Sequence, residues 1–140
     1  MNIEIRNALP GQEHEFADLR ARAMFKSLSA INRYDDTKVR NRLLESYQIE
    51  NTKSVYFQNK LVGFYSIEKQ NGYMNLKHFY LEPTVCGQGI GTKVMEMIKK
   101  ECAGIPLRLN ALKESEANSF YLKNGFVKTH EEEFDNYYSN

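Results

Sequence analysis

Three glycines at alternate positions, Gly87, Gly89 and Gly91, restrict what this chain can fold into more than any other feature. They lie in the run Leu81-Glu82-Pro83-Thr84-Val85-Cys86-Gly87-Gln88-Gly89-Ile90-Gly91-Thr92. An apolar stretch ends just before it, and Ile90, Val94, Met97 and Ile98 then recur at helical spacing. Glycine reaches backbone conformations closed to other residues and lets a ligand approach without a Cβ in the way. The first N–H groups of a helix have no intrahelical partner, and the helix dipole puts partial positive charge there. A strand, a glycine loop and a helix start in this order form a site for pyrophosphate. Two nucleotide fingerprints fail on spacing. The dinucleotide motif needs Gly-x-Gly-x-x-Gly early in a βαβ unit, and the phosphate-binding loop of nucleotide hydrolases ends in Gly-Lys-Ser/Thr.

The rest of the chain supplies a frame. Asn2 to Arg6 alternates as a half-buried strand, and Phe16, Leu19, Ala23 and Met24 then take helical spacing after Pro10-Gly11. A second helix follows Asp35-Asp36-Thr37 with Val39, Leu43 and Tyr47 on one side. Two strands flank a turn at Asn59-Lys60, and Asn71-Gly72 marks a further hairpin that leads into Tyr73 to Leu81. Gly104 ends the helix that begins near Gly89. Pro106 to Asn110 reads as a strand, Ser115 to Lys123 as a helix, and Phe126 to Tyr138 as one or two strands. The order β-α-α-β-β-β-α-β-α-β(-β) is that of an α/β fold with a mixed sheet flanked by helices. No linker or repeat divides residues 1–140, so a single domain is expected.

Composition narrows the function. A net charge of +1 does not advertise nucleic acid or an anionic membrane surface, and no run is long and apolar enough to span a bilayer. Two cysteines, Cys86 and Cys102, suit a reducing compartment, and three scattered histidines argue against a metal site. A cytoplasmic protein with no metal is the expectation.

The glycine run is similar to the Arg/Gln-x-x-Gly-x-Gly/Ala motif of the GNAT-type N-acetyltransferase superfamily, in the segment Cys86-Gly87-Gln88-Gly89-Ile90-Gly91. Tyr121-Leu122-Lys123-Asn124-Gly125-Phe126 looks like the Tyr-x-x-x-Gly-Phe element that follows in that family, with Ala117 four residues before the tyrosine. The element order agrees along essentially the whole chain. The resemblance implies a mostly antiparallel central sheet and transfer of an acetyl group from acetyl-CoA to an amine of a small molecule, amino acid or peptide. It implies that the backbones of Phe79, Tyr80 and Leu81 pair with the pantetheine arm, and that Gly87, Gln88, Gly89, Ile90, Gly91 and Thr92 offer N–H groups to the pyrophosphate. It makes Tyr121 the general acid that protonates the thiolate of coenzyme A. Two departures stand out. Cys86 replaces the motif's Arg or Gln, and Glu114 stands where the family often has a cofactor-contacting Asn, for which Asn118, one turn before Tyr121, is the candidate substitute. The resemblance leaves a homodimer open.

The general base stays unassigned. Strand alternation groups Asn75, Lys77 and Phe79 on one face and Leu76, His78 and Tyr80 on the other, so His78 reads first as a core histidine. Residues 27–36 border the acceptor site in the family. The acidic run Glu131, Glu132, Glu133 and Asp135 reads first as a solvated face and second as an attractor of cationic amines. The competing class is a non-catalytic acyl-CoA-binding module of the same fold.

Overall fold

The computed structural model describes residues 2–140. Seven strands form one sheet in the order β1-β2-β3-β4-β5-β7-β6. They are β1 (Ile3–Asn7), β2 (Thr52–Phe57), β3 (Lys60–Lys69), β4 (Met74–Leu81), β5 (Leu107–Leu112), β6 (Val127–Glu131) and β7 (Asp135–Ser139). Helices α1 (Glu13–Ala30) and α2 (Asp36–Ser46) come between β1 and β2, α3 (Ile90–Cys102) between β4 and β5, and α4 (Ala117–Lys123) between β5 and β6. All neighbouring strands are antiparallel except β4 and β5. A parallel pair needs a crossover, which α3 provides. Among the described residues no helix is long and apolar enough to cross a membrane.

Local chemistry explains the boundaries. Asp35 accepts a hydrogen bond from the Lys38 N–H at 3.1 Å and caps α2, which fixes that helix where Asp35-Asp36-Thr37 predicts it. The Asn71-Gly72 hairpin is present, with Gly72 at φ +88°. The other hairpin turns one residue earlier than its sequence suggests: Gln58 and Asn59 take the positive φ angles, and Lys60 already belongs to β3.

The core divides across the sheet. Phe64 joins Phe16 and Leu19 of α1 and Leu43 of α2, whereas its neighbour Tyr65 joins Ile90, Val94, Met95 and Ile98 of α3. Alternation along β3 therefore puts α1 and α2 on one face and α3 on the other. Within α3 the fully buried methionine is Met95. Met97, which helical spacing assigns to the buried stripe, lies at its half-buried flank.

Strand β4 departs from simple alternation. Ser66 pairs with His78 but Ile67 pairs with Leu76, so Lys77 is an extra residue, a β-bulge. One added residue reverses the facing of everything before it. Leu76 thus packs in the α3-side core with Phe79 and Leu81, while His78 and Tyr80 sit with Phe64 on the α1 side. This corrects the grouping of Leu76 with His78 and Tyr80.

Candidate functional site: a splayed strand pair and a helix start

β4 and β5 pair only at Met74↔Leu107 and Asn75↔Arg108. Beyond Asn75 they part, so the backbones of Phe79, Tyr80 and Leu81 pair with β3 on one side and with no strand on the other. A free strand edge inside a sheet offers N–H and C=O groups to an extended ligand. Helix α4 spans the gap. The Phe120 ring lies 6.2 Å from Phe79, and the Asn118 Nδ2 donates to the Leu112 carbonyl of β5 at 2.9 Å. On its far side β4 is held close to β3 at Gly63, where a Cβ would lie 2.6 Å from the Tyr80 carbonyl oxygen.

The chain leaves β4 through a 3-10 turn at Pro83–Val85, which the Gln88 side chain closes by donating to the Thr84 carbonyl at 3.2 Å. Gly87 and Gly89 take φ +83° and +82°, so both glycines are required by conformation. Gly89 caps α3, and the first backbone bond of that helix runs from the Lys93 N–H to the Gly89 carbonyl. The N–H groups of Ile90, Gly91 and Thr92 precede it, the cap makes no side-chain hydrogen bond, and the first turn holds no acidic residue. The positive end of the α3 dipole is therefore unneutralised, which suits a diphosphate.

Gly91 has a different reason to be glycine. A Cβ there would meet the Phe120 ring at 3.1 and 3.3 Å and Leu81 Cδ1 at 3.4 Å. Close packing of α3 on α4 and β4 crowds any side chain at this point against Phe120 and Leu81, whereas Gly87 faces open space.

Tyr121 is 7% exposed, with its ring packed edge-on to Phe120 and Phe126 and tilted against Tyr138 at 5.9 Å. Burial, and then the nearby phenols of Tyr80 and Tyr138, push its hydroxyl well above the ordinary tyrosine range. It keeps its proton at neutral pH. Asn118 is committed elsewhere. Its Nδ2 donates to the Leu112 and Ser115 carbonyls, and its Oδ1 accepts from Asn136 Nδ2 at 3.1 Å and the Tyr138 hydroxyl at 2.7 Å. Two donors and two lone pairs are thereby used, so the Asn118 amide ties α4 to β5 and β7 and has no capacity left for a ligand.

Cys86 is exposed overall, and partial desolvation followed by Glu116 raises its thiol, the opposite of what activates a nucleophile. The acidic run is partly neutralised: Lys113 and Lys128 both pair with Glu131, and Arg33 stacks on the Phe134 ring at 3.8 Å. That last contact joins the loop after α1 to the β6–β7 turn. Asp35 and Asp36 serve α2, as its cap and as the partner of Arg40. Among the described residues no group of three or more His, Cys, Asp or Glu side chains is placed to hold a metal ion.

Sequence reasoning missed Arg20. It lies in the buried stripe of α1 between Leu19 and Ala21, is 5% exposed, and reaches β4, where its Nε donates to the Tyr80 hydroxyl at 3.1 Å. The signal was there: a charged residue one turn after Phe16, in a helix that has an exposed face to put it on.

The acetyltransferase (GNAT) domain model matches residues 25–139. No curated protein matches the sequence. Among solved structures, the PaiA N-acetyltransferase of Thermoplasma acidophilum in complex with coenzyme A superposes with a TM-score of 0.83 at 20% identity, over 100% of this chain and 99% of that one. Apo YjaB from Escherichia coli gives 0.76 at 20% identity over 99% and 96%. An N-acetyltransferase from Staphylococcus aureus Mu50 gives 0.73 at 15% identity over 98% and 100%.

Proposed function

Because this chain belongs to the acetyltransferase (GNAT) domain family, we propose that it transfers an acetyl group from acetyl-CoA directly to an amine. The observation that carries this reading is the coincidence of a free β4 edge with an α3 start that has no side-chain cap and no acidic residue in its first turn. The backbones of Phe79, Tyr80 and Leu81 hold an extended pantetheine arm, and the N–H groups from Gly87 to Thr92 hold its diphosphate. Acetyl-CoA supplies the acyl group as a thioester. A β4 backbone N–H polarises the thioester carbonyl. Tyr121, held protonated by burial, gives its proton to the departing sulfur. The Phe79, Phe120 and Leu81 side chains keep water from that edge.

Calorimetric titration of the protein with acetyl-CoA in the presence of EDTA tests this reading. Saturable binding is expected, and ligand at a hundred times its dissociation constant should stabilise the fold by about 2.7 kcal/mol. A melting curve unmoved by millimolar acetyl-CoA ends the proposal. Binding without turnover over a broad amine panel would leave the non-catalytic binding module.

A further inference from the structure

Acetyl-CoA brings a dianionic diphosphate to the glycine loop, yet the chain from Glu82 to Thr92 carries no Lys, Arg or His. Lys93, just beyond it, is paired with Glu96. Backbone N–H groups and a helix dipole meet the diphosphate there, and any side-chain cation comes from another element.

Helix α1 is that element. Its contacts run along the free end of β4 and then cross the gap. Arg20 reaches Tyr80, Arg22 reaches Glu82 just past the strand, and Lys26 reaches Glu116 just before α4. Arg33, in the loop that follows, stacks on Phe134. Glu82 belongs to the β4 rim of the splay and Glu116 to the β5 rim, so the two ion pairs lie on opposite sides of its mouth. After desolvation, it is the Glu116 carboxylate that raises the Cys86 thiol, so Glu116 stands close to the entry of the glycine loop. Arg22 and Lys26 are one helical turn apart and share a face of α1.

The two pairs are not alike. Arg22 binds Glu82 through both ends of its fork, at 2.8 and 3.0 Å, and Glu82 is 23% exposed. A bidentate pair of this kind holds, and it neutralises the one carboxylate that the loop itself carries. Lys26 and Glu116 meet in a single contact of 3.2 Å, with side chains 86% and 89% exposed. Such a pair contributes little to stability, and a lysine is a flexible point charge free to change partner. We propose that Lys26 is a ligand of the acetyl-CoA diphosphate, that it leaves Glu116 when the cofactor enters, and that Glu116 opposes binding by holding Lys26 and repelling the phosphates. The exchange replaces one ion pair by another, and Lys26 stays protonated throughout. This inference rests on the acetyl-transfer reading above and adds to its cofactor site a side chain from α1, far from the glycine run in sequence.

Calorimetric titration of the full chain with acetyl-CoA and with acetyl-dephospho-CoA, which keeps the diphosphate and lacks the 3′-phosphate, tests it. Lys26→Met should weaken both ligands roughly fivefold, and Glu116→Gln should tighten both roughly threefold at low salt. Both differences should shrink as NaCl rises from about 20 mM to about 500 mM, because the charges are solvent-exposed. The opposite signs separate a ligand from a brace: an ion pair that only ties α1 to the start of α4 loses the same support whichever partner is removed. Weakening in both variants, or no change in either one, overturns the inference. So does a loss confined to acetyl-CoA, which assigns Lys26 to the 3′-phosphate. A wild-type protein that binds neither ligand removes the underlying reading instead.

Discussion

The two faces of β4 at its free end solve opposite problems. On the α3 side, Phe79 and Leu81 lie against Phe120 and Gly91, and the fit is tight enough that one added carbon at Gly91 meets an aromatic ring at 3.1 Å. On the α1 side, polar atoms are kept inside the protein at a cost: a cation without a counter-ion and an imidazole nitrogen without a partner. Apolar side chains packed closely on α3 and α4 keep the first face dry. The dry face holds by shape and the charged face encloses a buried cation, so mutations on them should fail in different ways.

The largest effect is expected from Gly91→Val. Its branched side chain must displace Phe120 and Leu81, and overpacking of a tight core costs on the order of 1–3 kcal/mol. Acetyl-CoA affinity should fall at least about a hundredfold while circular dichroism still reports a folded chain, since the same strain moves the α3 start. Cys86→Ala, five residues earlier and exposed, should leave affinity unchanged. Equal tolerance of the two substitutions in a titration would show that the dry face is not tightly fitted.

Tyr121→Phe comes next. The ring contacts with Phe120, Phe126 and Tyr138 survive and only the hydroxyl goes. Binding of acetyl-CoA should hardly change, and turnover should fall on the order of a hundredfold. Because the hydroxyl is raised above its ordinary range, wild-type activity should show no alkaline loss from this group up to pH 10. A phenylalanine variant with wild-type turnover would make Tyr121 a packing residue alone.

The smallest effect is a pH dependence of stability set by the charged face. The folded state holds His78 at about 3, below the ordinary histidine value of about 6.5. The unfolded chain therefore binds the extra proton first. Stability from this group is fully present above pH 6.5 and is lost as pH falls toward 3, about 2 kcal/mol of it by pH 4.5. His78→Phe keeps a ring beside Phe64 and Tyr80 and should flatten urea midpoints between pH 6.5 and 4.5 relative to wild type. Parallel midpoint curves for the two proteins would mean that His78 is hydrated in solution and that the charged face is wet.

The strand and helix order and both motif segments were legible in the sequence, because hydrophobic periodicity, Asp35 at a helix start and glycine at turns are local signals. Leu76 was not placed correctly, because a bulge depends on how two strands pair and leaves no mark within one of them. Asn118 looked available because a sequence does not show that Tyr138, twenty residues on, has already taken its oxygen. The residues of β4 and the glycine run by themselves determined that a strand hands over to a helix through a glycine loop. Only the tertiary structure decided which face of that strand is dry and which is charged. Arg20 arrives there from sixty residues away, and burial and Coulomb interactions follow distances in space, whereas periodicity follows neighbours along the chain.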